Sequence, residues 1–225
     1  MKINKSVLLS VLLSGLFFSC DKINEAKEKV SETKEALSNL KNLTENTKDF
    51  VENFEDNLEK SNDRAAERKK RGDTVAMHYE KLGELFPTSV GDFSKEDELN
   101  GSTNKMGGMS QSVAKQVYKN ADGDKLTLEI KDFNGSATTY VTGVMAAYMM
   151  EGYEIDDSNQ HVKTFKLSDE IKGMKTYGKK NKHAQVDLMV TDRFHINLSM
   201  ENQENWDKAL EIIQEEIALD ELVKL

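Results

Sequence analysis

Between Asp21 and Arg71 the chain contains neither proline nor glycine, while Lys, Glu, Asn and Ala dominate. So long a stretch without the two helix-breaking residues, built from residues that tolerate helix, predicts continuous helix. Apolar residues recur at seven-residue spacing. One row reads Ile23, Val30, Leu37, Thr44, Val51, Leu58, and the other Ala26, Thr33, Leu40, Thr47, Phe54, Ser61. Ala36, Leu43 and Phe50 widen the stripe. Charged flanks such as Glu25–Lys29 and Lys41–Glu45 sit four residues apart, each pair adding a few tenths of a kcal/mol. The expectation is an amphipathic helix extending about 75 Å at 1.5 Å per residue. Three uses fit it: a weak coiled coil that forms homo-oligomers, a helix packed on a partner or on its own domain, or a charged tether. Polar Thr44, Thr47 and Ser61 in the seam weaken the first.

The stretch ends in a basic cluster, Arg64-Ala-Ala-Glu-Arg-Lys-Lys-Arg71. Cations near a helix carboxyl terminus interact favourably with its dipole, which accounts for the cluster. Gly72 then stops the helix and marks a domain boundary. Arg71-Gly72-Asp73 spells the integrin-binding tripeptide, a match too short to carry information.

The amino terminus differs from the rest. Lys2 and Lys5 precede an apolar run, Val7–Phe18, and Ser19-Cys20 follows it. A basic start, a short apolar core and a small residue before the cut form a secretory signal. The run is too short for a spanning helix of about 20 residues. Cys20 is the only cysteine, so no intramolecular disulfide is possible. A lone thiol directly behind a signal core resembles the lipobox of bacterial lipoproteins, with Phe17 where leucine is commonest and Leu16 one position earlier. That resemblance implies a diacylglyceryl thioether on Cys20, cleavage before it and acylation of the new amine. It also implies a protein held on a membrane of the cell envelope, the outer membrane or cell surface being favoured. Each buried methylene contributes about 0.8 kcal/mol, and two lipid signals suffice for stable anchoring.

The formal charge is −9, from 31 Lys and Arg against 40 Asp and Glu; without Lys2 and Lys5 it becomes 29 − 40 = −11. Such a chain repels nucleic acid, which disfavours it as a partner.

Residues 73–225 have the size of one domain. Thr74–Phe86 reads as a helix that Asp73 can cap and Pro87 ends, with Val75, Tyr79, Leu82 and Phe86 on one face. Thr88–Gly108, rich in glycine and acids, reads as a long loop, either functional or packed around Phe93 and Leu99. Alternation from Ser112 to Lys119 and from Leu126 to Lys131, around the turn Ala121-Asp-Gly-Asp124, predicts a hairpin. Ala137–Met150 reads as a helix. Four strands follow, near His161–Leu167, Ile171–Tyr177, His183–Thr191 and Phe194–Met200, with Asp192-Arg193 in the last turn. A closing helix over Gln203–Ala218 buries Trp206, Leu210, Ile213 and Ile217. The expected fold is α+β: a long amino-terminal amphipathic helix, then a mainly antiparallel sheet of about six strands with helices on one face. The organisation is 1–19 signal peptide, 20–72 lipid-anchored stalk and 73–225 α+β domain.

Short motifs carry one further resemblance. Leu85-Phe-Pro87 with Gly91-Asp-Phe93, Met106-Gly-Gly-Met-Ser110, Tyr118 with Asp122-Gly123, Ile130-Lys-Asp132 and Asp192-Arg193-Phe194 resemble a loosely defined group of uncharacterised exported bacterial domains. The resemblance spans Leu85 to Leu225 and implies the fold without supplying an activity.

No pattern points to catalysis, and no catalytic, cofactor or metal residue is assigned. His78, His161, His183 and His195 fall on different elements, only His183 and His195 on neighbouring strands; zinc needs three or four convergent ligands. Nucleophile and phosphate-loop signatures are missing. Asp92, Glu96, Asp97, Glu98, Asp156 and Asp157 lack calcium-loop order. Met106, Met109, Met145, Met149, Met150, Met174, Met189 and Met200 suit core filling or an adaptable apolar groove. The expected function is an envelope lipoprotein whose domain binds a protein or small apolar ligand without catalysis. The alternatives are an envelope enzyme with a carboxylate site, or an oligomerising coiled-coil scaffold.

Overall fold

The computed structural model describes residues 47–96, 98–106, 109–134 and 152–225. Of the expected long helix, α1 covers Thr47–Lys70; the stretch before it, with Cys20, lies outside the described residues, so the full amino-terminal helix has no support here. Its end follows the sequence reading. Gly72 adopts φ 78°, the Asp73 N–H reaches Arg68 O at 2.9 Å and the Gly72 N–H reaches Lys69 O at 3.1 Å. A left-handed glycine thus satisfies the last carbonyls.

Beyond α1, ten strands among the described residues form one antiparallel sheet, which overturns the expected α+β layout of about six strands. They are β1 (Ser89–Val90), β2 (Phe93–Lys95), β3 (Asn100–Met106), β4 (Met109–Lys119), β5 (Lys125–Asp132), β6 (Glu154–Asp156), β7 (Gln160–Lys166), β8 (Ile171–Gly178), β9 (His183–Val190) and β10 (Phe194–Met200). Their order is β1-β2-β4-β5-β10-β9-β8-β7-β6, and β3 lies beside β2 on the same edge of β4. The expected hairpin is β4–β5, and the four later strands are β7 to β10. The supposed loop 88–108 instead holds β1, β2 and all of β3. Edge strands need only backbone pairing, and β3 is largely exposed, so no alternation of apolar residues announces it.

Helices are short. Thr74–Phe86 contracts to α2 (Tyr79–Gly83). Upstream, the Ala76, Met77 and Tyr79 N–H groups are donated to Ser110 Oγ, Asp132 Oδ2 and Thr103 Oγ1, side chains of the sheet, at 2.5, 2.8 and 2.9 Å. His78, not Asp73, caps α2. The closing helix divides into α3 (Asp207–Glu215) and α4 (Leu219–Lys224) because Ala218 leaves helical geometry at ψ 63°. The helix expected over Ala137–Met150 lies outside the described residues.

One face of the sheet forms the core. Register aligns Ala114, Ile130, Ile196 and Leu188 in one row, and Tyr118, Leu126, Met200 and Ala184 in another. All are fully buried. Leu82 of α2, Ile213 of α3 and Leu222 of α4 close over this face. Each large aliphatic side chain so buried contributes about 1.5–3 kcal/mol.

Candidate functional site

The densest polar constellation gathers at the β9–β10 turn. Thr191, at φ 56°, turns the chain sharply enough to send its two successors in different directions. Arg193 donates Nε and Nη2 to the two oxygens of Asp132 at 3.0 and 2.9 Å, and Nη1 to Asp73 Oδ2 at 2.8 Å and Leu225 O at 2.9 Å. Asp132 also accepts the backbone N–H of Met77 and of Asn134, both at 2.8 Å. Asn134 in turn binds Asp73 Oδ1 at 2.6 Å. Asp132 and Arg193 are buried, so each charge relies on the other and on these dipoles. Burial pulls the Arg193 pKa down, but Asp132 and Asp73 outweigh it and hold it above the ordinary value.

Asp192 points to α1. Its Oδ1 accepts Arg64 Nε at 2.7 Å and its Oδ2 accepts Arg68 Nη2 at 2.5 Å. Burial raises its pKa, yet the two guanidinium groups prevail and keep the carboxyl below the usual range. The turn therefore clasps the helix with one residue and the β5 end, the Asp73 segment and the carboxyl-terminal residue with the next. Both carboxylate oxygens of Asp73, Asp132 and Asp192 accept hydrogen bonds within the network. The arrangement holds segments together.

A second cluster lies on the opposite sheet face. Asp187 of β9 accepts Gln185 Nε2 at 2.7 Å and Asn197 Nδ2 at 2.8 Å, with His195 Nε2 at 3.2 Å from its Oδ1. A carboxylate that orients an imidazole is what a general base requires, but here two amides share the carboxylate. The sequence pattern hid this pair, since the partners are adjacent only through strand register.

The residues singled out from the sequence scatter. Cys20 and Asp97 lie outside the described residues. His183 and His195 sit at opposite ends of the β9–β10 hairpin, where Met189 and not His183 faces His195. His161 binds Glu154 Oε1 at 2.8 Å and packs against Trp206, ring centroids 4.3 Å apart. Lys175 places its ammonium 4.6 Å from the Trp206 ring centre, and burial lowers its pKa. The loop acids separate: Asp92 pairs with Lys208 at 2.7 Å and Glu96 with Lys119. Asp156 pairs with Lys179, while Asp157 accepts the backbone N–H groups of Asn159 and Gln160. Asp73 of the tripeptide is spent on Arg193 and Asn134. The cluster Arg64–Arg71 is more than a dipole effect, since two of its members grip Asp192. Among the described residues, no group of three His, Cys, Asp or Glu side chains is placed to hold a metal ion. No described helix is long and apolar enough to cross a membrane.

Comparisons with family models, with curated proteins and with solved structures return no match for this chain.

Proposed function

We propose that the protein is an exported bacterial lipoprotein, held to an envelope membrane by acyl chains on Cys20, whose sheet domain is a non-enzymatic binding module for a protein or small apolar ligand. The observation that carries the reading is Cys20 itself, a lone thiol two residues after the apolar run Val7–Phe18. The clasp adds to it. Arg64 and Arg68 tie α1, the described helix on the Cys20 side of the domain, to the β9–β10 turn. The outer membrane or cell surface is the favoured location.

Metabolic labelling with a clickable fatty acid tests the anchor. The full chain takes up label and sediments with membranes, and Cys20→Ser does neither. An unlabelled wild-type chain, or a serine variant that sediments as before, refutes the anchor. Affinity capture from detergent-solubilised envelopes, with the full chain and with a version ended after Gly72, tests the module. Identical captured partners in both would refute a binding role for the sheet domain.

A further inference from the structure

Among the six described methionines, Met77 and Met174 are half-buried and the other four lie at the extremes. Met189 and Met200 are buried in the sheet, as core-filling thioethers should be. Met106 and Met109 are 55% and 42% exposed. They are the last pair of the β3–β4 ladder, directly opposite one another. Opposed residues of an antiparallel pair project from the same face with Cβ atoms about 4.5–5.5 Å apart. The β4–β5 ladder begins only at Ser112, so the paired residues 104–106 and 109–111 extend beyond the β5 pairing as two strands. Lys105 and Ser110 form the preceding pair and by strand alternation point to the other face. The face that bears both sulfur atoms carries neutral Asn104 and Gln111 as its next pair.

We infer that Met106 and Met109 form a bis-thioether site for a soft monovalent cation, Cu(I) or Ag(I). Each side chain has three rotatable bonds and a polarizable sulfur, so two arms rooted this closely can bring both sulfur atoms onto one ion. Thioethers are soft donors that select Cu(I) over the hard divalent ions, which demand carboxylate, carbonyl or water oxygen. The neighbouring amides add no anionic oxygen that would favour Mg, Ca or Mn. Thioethers also stay unprotonated across the physiological range, so neither donor must lose a proton to bind. Ordinary burial economics favours placing methionine inside, and two at one hairpin end, opposed and outward, are better explained by ligation than by packing. The inference stands apart from the anchoring proposal, since it uses no residue before Asn104.

The test uses the full chain in detergent with methionine methyl groups labelled by carbon-13, in a Cys20→Ser background so that the one thiol does not compete. Silver nitrate is titrated in, and Cu(I) is then added anaerobically against a colorimetric chelator. The Met106 and Met109 methyl signals are expected to shift together and saturate near one equivalent, while those of Met189 and Met200 stay fixed. Met106→Leu/Met109→Leu should lose at least tenfold in affinity for both ions. Its unchanged Met189 and Met200 signals would show that the fold survives. Either single variant should lose severalfold, because one sulfur remains. No shift at Met106 and Met109, shifts confined to other methionines, or undiminished affinity in the double variant would overturn the site.

Discussion

Arg193→Met should be the most damaging single change at the β9–β10 turn. Methionine matches much of the arginine stem but removes all four hydrogen bonds, two to Asp132, one to Asp73 and one to Leu225 O. Asp132, fully buried, then keeps only the N–H groups of Met77 and Asn134 against its charge. Breaking a buried pair by removing one partner costs about 3–5 kcal/mol. With a urea m-value of about 2 kcal/mol per molar, that loss moves the unfolding midpoint down by roughly 2 M. Equilibrium unfolding followed by Trp206 fluorescence measures it. Lys81→Met, which deletes the exposed pair to Glu84, is the control and should leave the midpoint unchanged. Arg193→Met/Asp132→Asn should recover part of the loss, since the asparagine oxygen still accepts a backbone N–H and no buried charge remains. A midpoint shift for Arg193→Met no larger than the control's, with an unchanged m-value, would refute the view that this network holds the domain closed.

Three further outcomes follow from the same structure. Asp192→Asn should free α1, seen as fast amide exchange over residues 61–70 at pH 7. Because the Asp192 carboxyl lies below its ordinary value in the folded chain, wild-type protein holds this contribution above about pH 4, the unfolded value, and loses it as pH falls through the folded one; the variant should show no such acid step. Tyr118→Phe removes the hydroxyl donated to Pro87 O at 2.9 Å, which costs about 1 kcal/mol in thermal or urea unfolding. Burial pushes the Tyr118 phenol up to about 12, so folding stabilises its neutral form; wild type loses that contribution as pH rises from about 10 through the folded value, and the phenylalanine variant does not. Gly173→Ala places a Cβ 2.5 Å from Leu188 Cδ2 and 2.6 Å from Asp187 O; overpacking of this kind costs about 1–3 kcal/mol, and a variant as heat-stable as wild type would show that β8 and β9 can move apart.

What the sequence made legible was local. Leu126, Leu128 and Ile130 alternate beside an Asp122-Gly123 turn, so the β4–β5 hairpin could be read from a dozen residues. The β9–β10 hairpin was equally plain, and Gly72 ended α1 where a left-handed residue was needed. What escaped depended on partners far along the chain. Strand β3 has no apolar rhythm because its contribution is backbone hydrogen bonding to β4. The Thr74–Phe86 stretch has helical spacing, yet sheet side chains capture three of its N–H groups and leave one helical turn. Arg64 and Arg68 looked like helix-end cations because nothing in their neighbourhood names Asp192. Met106 and Met109 looked like core filler until the register set them opposite one another on an outward face.

The clasp at Asp192 and Arg193 joins residues separated by 128, 124 and 120 positions. Closing such loops is entropically slow, and chains rich in distant contacts fold slowly. A ribosome must deliver some 190 residues before Asp192, which grips α1, and Arg193, which grips Asp73, both exist. Until then α1 lacks the carboxylate that holds it to the sheet. On the proposed export, delay of this kind would be useful: the knot would be tied from the tail, after passage.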